Sequence, residues 1–171
     1  MKEIKFLILI LIVILVLDAC HKIEHLSPIP GIEYTSFTIF DTTDILGNDS
    51  KAGKLMFRFE DGDGDLGLNA PSPGEIDSVN LFIKLFRKVD GIMTPATDTL
   101  DPLKPSPFRI PYMERLGQNK ILKGSISVTF LYLFYLPTDT IRYDFFVKDR
   151  AQNESNVAST NEIVISENNV Y

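Results

Sequence analysis

Apolar and polar residues alternate along most of the chain from Tyr34 onward, with turn residues between the runs. In residues 54–60, Leu55, Phe57 and Phe59 fall on one face and polar or less apolar residues on the other. A period of two is typical of a half-buried β-strand, and no long stretch has the period of a helix. The pattern predicts strands over 34–40, 54–60, 79–89, 125–135, 141–148 and 160–166, with 108–112 as a short candidate for a seventh.

About seven antiparallel strands in about 130 residues predict an all-β fold in which two sheets pack as an immunoglobulin-like sandwich. The dipeptide Asp90-Gly91 closes the run 79–89 and predicts a turn there. If 54–60 is the second strand and 141–148 the sixth, the loops after them emerge at the same end of the sandwich. The first strand begins at that end too.

The closing stretch carries a family resemblance. Residues 143–156 read Tyr-Asp-Phe-Phe-Val-Lys-Asp-Arg-Ala-Gln-Asn-Glu-Ser-Asn, and 160–165 follow a Thr-x-x-Ile-x-Ile pattern. This resembles the last two strands of immunoglobulin-like and fibronectin type III-like modules in bacterial exported proteins, with Gln152 where a glycine is usual. Together with Phe-x-Phe-x-Asp-Gly-Asp-Gly-Asp-Leu-Gly at 57–67, the chain is similar to uncharacterised Bacteroidetes-type lipoproteins, a resemblance that implies a family but no activity.

The N-terminus has the layout of an export signal. Residues 6–17 are all apolar and follow Lys2 and Lys5, and the run is too short to span a bilayer, which takes roughly 20 residues. Leu17, Ala19 and Cys20 match the bacterial lipobox, whereas Asp18 departs from it. We therefore predict a lipoprotein signal peptide at 1–19 and lipidation of Cys20. The alternative is an ordinary secretory signal with an incidental cysteine.

A lipid on Cys20 predicts attachment to a membrane of the cell envelope, most simply the outer membrane on its periplasmic or surface face. Residues 20–33 contain Pro28, Pro30 and Gly31 and are predicted as a tether, which leaves 34–171 as the immunoglobulin-like domain.

Composition narrows the function classes. The chain has a net charge of −6, which argues against nucleic acid as a partner because phosphate contacts need clustered Lys and Arg. Cys20 is the only cysteine, and both histidines lie in the tether, so the domain has neither a disulfide nor a histidine-based catalytic triad.

The sharpest chemical feature is the acidic loop, residues 61–67 (Asp-Gly-Asp-Gly-Asp-Leu-Gly). Alternating carboxylates with glycines between them suit Ca²⁺, which takes about six to eight oxygen ligands, so a second segment must contribute. The topology brings Asp149 and Asn153 near Asp61, Asp63 and Asp65, and these five residues form the predicted structural Ca²⁺ site. The alternative is that Asp-Gly repeats simply make turns.

Residues 130–136 (Phe-Leu-Tyr-Leu-Phe-Tyr-Leu) are apolar on both faces. A strand covered on both sides explains this most simply. The alternative is an interface with a partner, because contiguous exposed apolar surface usually marks a contact.

The sequence therefore predicts a membrane-anchored, non-catalytic envelope module with a binding or structural role and a protein or glycan partner. Two alternatives stay open. One is a small glycosidase-like hydrolase that uses loop carboxylates such as Asp61 and Asp149, and the other is a glycan-binding accessory module.

Overall fold

The computed structural model describes residues 26–74, 78–114 and 120–171. The predicted signal peptide, Cys20 and the tether up to residue 25 lie outside the described residues. The first strand begins at Gly31, ahead of the predicted domain boundary at residue 34.

Within the described residues, eight strands form two antiparallel sheets. The strands are β1 (Gly31–Thr43), β2 (Asp49–Asp61), β3 (Leu81–Val89), β4 (Ile92–Pro95), β5 (Leu122–Tyr132), β6 (Thr140–Val147), β7 (Ala158–Ser159) and β8 (Ile163–Val164). One sheet has the order β1-β2-β5, and the other has the order β4-β3-β6-β7 with β8 also paired to β6. Among the described residues, no helix is long and apolar enough to cross a membrane.

The alternating pattern produces the core as predicted. Leu55 and Phe57 of β2 and Tyr143 and Phe145 of β6 are fully buried. Rings from the two sheets meet across the interior, and the Phe57 and Phe145 centroids are 5.2 Å apart. The predicted all-β architecture of two antiparallel sheets, with a sandwich-like core, is therefore confirmed.

Several strand boundaries differ from the prediction. The run 160–166 contains only the two-residue strand β8, and strand β7 precedes it. Residues 108–112 form isolated bridges, Phe108 to Leu81 and Pro111 to Leu68. Strand β4 has no counterpart in the prediction, although the turn before it does: Asp90 and Gly91 have φ values of 50° and 80°. Pairs of positive φ values of this kind match the twist of a tight hairpin.

The covered-strand explanation of residues 130–136 is wrong for most of the run. Strand β5 ends at Tyr132 on the edge of its sheet, and the chain then leaves the sheet for a loop. In the predicted strand 125–135, the period of two places Phe130, Tyr132 and Phe134 on the same inward face. Phe130 and Tyr132 are buried, but Phe134 is 72% exposed. Leu131, Leu133 and Leu136 are also exposed.

A polar network joins the loop before β6 to β3 at the end away from the acidic loop. The guanidinium of Arg87 donates to both carboxylate oxygens of Asp101, at 2.6 and 2.7 Å, and to Asp139 at 2.8 Å. The hydrogen bonds from Arg87 hold the pKa of Asp101 below its usual value. Bidentate geometry of this kind is the strongest form of an ion pair.

Candidate metal site

The acidic loop follows β2 directly, and its three aspartates converge. Asp61 is the last residue of β2, Gly64 and Gly67 adopt positive φ values of 68° and 98°, and Leu66 is fully buried in the core. These two glycine conformations curl the chain back on itself. One carboxylate oxygen from each of Asp61, Asp63 and Asp65 lies within 4.8 Å of the other two.

Asp61 is the most deeply placed of the three. Its side chain has no solvent exposure, and its Oδ2 accepts a hydrogen bond from the Leu66 backbone N–H at 2.6 Å. Its Oδ1 is buried without a hydrogen-bond partner. Burial, and then the neighbouring carboxyl of Asp63, raise the pKa of Asp61 above its usual value. A buried carboxylate oxygen without a partner costs free energy that a bound cation would recover.

Asp65 connects the acidic loop to the loop after β6. Its carbonyl accepts from the backbone N–H of Arg150 at 3.3 Å, and its Oδ2 accepts from that of Ala151 at 3.2 Å. Its Oδ1, like that of Asp61, is buried without a hydrogen-bond partner. Burial raises the pKa of Asp65, and the charges of Asp149, Asp63 and Asp61 raise it further. The acidic loop and the loop after β6 therefore contact each other, as the predicted topology requires.

Asp149 and Asn153 lie beside the cluster but bond to each other. Asn153 donates its backbone N–H to Asp149 Oδ1 and its amide to Oδ2, both at 2.8 Å. Gln152, in the position where a glycine is usual, takes the left-handed conformation with φ 69°. The second loop therefore supplies backbone donors to Asp65, while Asp149, itself fully buried, contributes negative charge nearby.

The segment before β1 also packs against the acidic loop. The predicted topology places the start of the first strand at this end, but it does not predict this direct contact. The Gly62 backbone N–H donates to the Ser27 carbonyl at 2.9 Å. The fit is close, since a Cβ on Gly62 would lie 2.5 Å from the Ser27 carbonyl oxygen. Proline-rich composition marks residues 27–31 as a turn or linker but carries no signal for this contact.

The arrangement suits a hard cation better than acid-base chemistry. Glycosidases hold two carboxyl groups at least about 5 Å apart across a groove that admits substrate. Here three carboxylates converge within 4.8 Å, and the innermost, Asp61, has no exposed surface. Oxygen-only donors in a glycine-bent loop are the ligands that Ca²⁺ takes.

An open groove of about 630 Å³ lies elsewhere, on the β1-β2-β5 sheet near the start of β1. Charged side chains line it, including Glu33, Arg58, Glu60 and Lys123. Phe59, the aromatic residue among the lining positions, is 4% exposed, so it offers little ring surface for stacking on a sugar.

The protein is of the all-β class, with two antiparallel sheets. Its candidate metal site is a loop of three aspartates that contacts the segment before β1. No protein-family model matches the chain, and no curated protein or solved structure matches it either.

Proposed function

We propose that this protein is a lipid-anchored, non-catalytic module of the cell envelope whose membrane-proximal end is stabilised by Ca²⁺. The observation that carries the proposal is the convergence of Asp61, Asp63 and Asp65 at the point where the N-terminal segment joins the domain. A cation at this junction would hold together the entering segment, the acidic loop and the loop after β6.

The strand order supports an immunoglobulin-like type for the domain. In that fold, strands A, B and E lie on one sheet and C, F and G on the other. The orders β1-β2-β5 and β4-β3-β6-β7 correspond to this arrangement, with β4 as an added edge strand.

The proposed ligands are the carboxylates of the three loop aspartates, and Asp149 and Asn153 of the loop after β6 are proposed to complete the shell. The Oδ1 atoms of Asp61 and Asp65 are buried and accept no hydrogen bond. The carboxylate oxygens of Asp149 accept from Asn153 but each retains a second lone pair. Water supplies the remaining oxygens that Ca²⁺ requires.

The proposed anchor is a lipid on Cys20. Because Gly62 bonds to Ser27, the length of chain available as a spacer is residues 21–26, which span at most about 20 Å. The acidic loop would then lie close to the bilayer, and the opposite end of the domain would face away from it. A cation in this position favours a structural role over capture of distant ligands.

Two measurements test the proposal. Isothermal titration of the purified protein with Ca²⁺, after EDTA treatment, should give one binding event that Asp65→Asn removes. Fractionation of cells that produce the full chain should place the wild type in the membrane fraction and Cys20→Ser in the soluble fraction. Absence of calcium binding rejects the cation, and a Cys20→Ser variant that stays with the membrane rejects the lipid anchor.

A further inference from the structure

Six large apolar side chains form what we call the apolar tip, at the end of the domain opposite the acidic loop. Their exposed fractions range from 52% for Leu133 to 99% for Ile45. The apolar tip consists of Ile45, Leu46, Ile92, Leu133, Phe134 and Leu136. Five of them lie in the β1–β2 turn and the β5–β6 loop, and Ile92 is the first residue of β4, directly after the β3–β4 turn.

Strand register brings these three loops to one end. In the first sheet, Thr43 pairs with Asp49 and Lys51 with Tyr132, so the β1–β2 turn lies beside the start of the β5–β6 loop. In the second sheet, β3 runs from Leu81, which pairs with Val147 near the acidic loop, to the turn that precedes Ile92. Exposed apolar residues concentrated at one end mark a contact surface more strongly than isolated ones do.

The apolar tip is held in place by hydrogen bonds. Asp44 Oδ1 accepts from the backbone N–H groups of Leu46 and Asn48, each at 2.8 Å. Asp139 Oδ2 accepts from the Leu136 N–H at 2.7 Å while its Oδ1 binds Arg87. Loops ordered before binding lose less entropy when a partner docks.

The charges around the apolar tip indicate which kind of partner can bind there. Three basic residues at this end are in ion pairs: Lys51 with Asp41, Arg87 with Asp101 and Asp139, and Lys88 with Glu162. A fourth, Lys104, lines a groove with Leu131 and Tyr132 and interacts electrostatically with Asp101. Within the described residues, Asp44, Asp49, Asp90 and Asp98 are in no salt bridge, so unpaired acidic side chains outnumber Lys104 at this end. Anionic lipid and a second copy of this end both carry negative charge, so both are disfavoured by like-charge repulsion.

We propose that the apolar tip docks on a protein partner that presents an apolar patch bordered by Lys and Arg. The apolar side chains supply the desolvated centre of the interface, and the unpaired aspartates meet the basic border. This inference goes beyond the calcium and anchoring proposals and needs neither, because its residues lie at the other end of the domain.

The experiment is site-specific photo-crosslinking of the full chain in the cells that naturally produce it. The photoreactive amino acid p-benzoylphenylalanine replaces Ile45, Phe134 or, as a matched control, Val157. Val157 is 61% exposed but follows Asn156, whose side chain bonds to Ile32 at the start of β1. Melting temperatures verify that each variant folds, which is expected because all three side chains are exposed.

The proposal expects the probes at Ile45 and Phe134 to crosslink to the same protein, at least tenfold above the probe at Val157. The crosslinked segment should be apolar with flanking Lys or Arg. The double variant Asp49→Lys, Asp90→Lys should lower the yield at least tenfold, because it places like charges opposite each other across the interface. Crosslinks to lipid, crosslinks to a second copy, yields equal to that at Val157, or no effect of charge reversal would each overturn it.

Discussion

Replacing Asp61 by Asn should have opposite effects on stability with and without Ca²⁺. The amide oxygen can still accept the hydrogen bond from Leu66 N–H, and the side chain is nearly the same size. What the substitution removes is one buried negative charge beside two others. Without a cation that charge is destabilising, and with a cation it is a ligand.

The geometry sets the magnitude. Two unit charges 4.8 Å apart repel by about 3.5 kcal/mol at an effective dielectric constant of about 20. The partial exposure of Asp63 and Asp65 screens this, so relief of about 1–3 kcal/mol is expected for Asp61→Asn in EDTA. In the wild type, Ca²⁺ at 100 times its dissociation constant should add about 2.7 kcal/mol, or a rise in Tm of about 5–10 °C.

Differential scanning fluorimetry in EDTA and in a series of Ca²⁺ concentrations measures both effects. The matched control is Asp44→Asn, because the Asp44 carboxylate also accepts backbone N–H groups within a tight turn but belongs to no carboxylate cluster in the described part of the chain. We expect Asp44→Asn to retain the full calcium response and Asp61→Asn to lose it.

The pH dependence of folding stability should also be opposite in EDTA and in Ca²⁺. Burial raises the pKa of Asp61 and Asp65 above the usual value of 3.8, so the folded protein binds protons more tightly than the unfolded chain. In EDTA their contribution to stability is greatest below about pH 3.8 and falls as pH rises through their folded-state pKa values. In Ca²⁺ the sign reverses, because the cation requires deprotonated carboxylates. Other carboxyl groups titrate in the same range, so the quantity to follow is the difference in Tm between the wild type and Asp61→Asn.

Two results would refute this reasoning. If Asp61→Asn melts below the wild type in EDTA, the carboxylate is a net stabilising part of the turn and the repulsion argument fails. If Ca²⁺ raises the Tm of the wild type and of Asp61→Asn equally, the ion binds somewhere other than the acidic loop.

Three further substitutions test the packing around the site and the core. Gly62→Ala should lower the free energy of unfolding by about 1–3 kcal/mol and speed proteolysis before β1, because the added Cβ would lie 2.5 Å from the Ser27 carbonyl oxygen. The control is Gly31→Ala, which should melt like the wild type because the atom nearest to its Cβ would be 4.0 Å away. Gly53→Ala should cost about 1–3 kcal/mol in urea unfolding because its Cβ would meet the Phe37 ring at 2.5 Å, and a wild-type midpoint would contradict the close packing there. Arg87→Met should lower the free energy of unfolding at pH 7 by about 3 kcal/mol, since it leaves the buried carboxylates of Asp101 and Asp139 without their cation. The loss should be smaller at a pH below the folded-state pKa of Asp101, which Arg87 lowers.

Strand positions and buried faces were predictable because an alternating pattern has only one way to place its apolar residues in a two-sheet fold. Leu55, Phe57, Tyr143 and Phe145 are all in the core, as their spacing predicts. The same rule misplaced Phe134, because alternation says which face a residue takes within a strand but not where the strand ends. That end depends on whether another strand continues to pair, which is a tertiary property.

The sequence by itself determined the all-β class, the inward faces of the long strands and the clustering of three aspartates in one loop, since each depends on neighbours close in the chain. Only the tertiary structure decided that Ser27 packs against Gly62 and that apolar residues from three loops share one end. These contacts join segments far apart in the chain, and their geometry depends on how two twisted sheets pack.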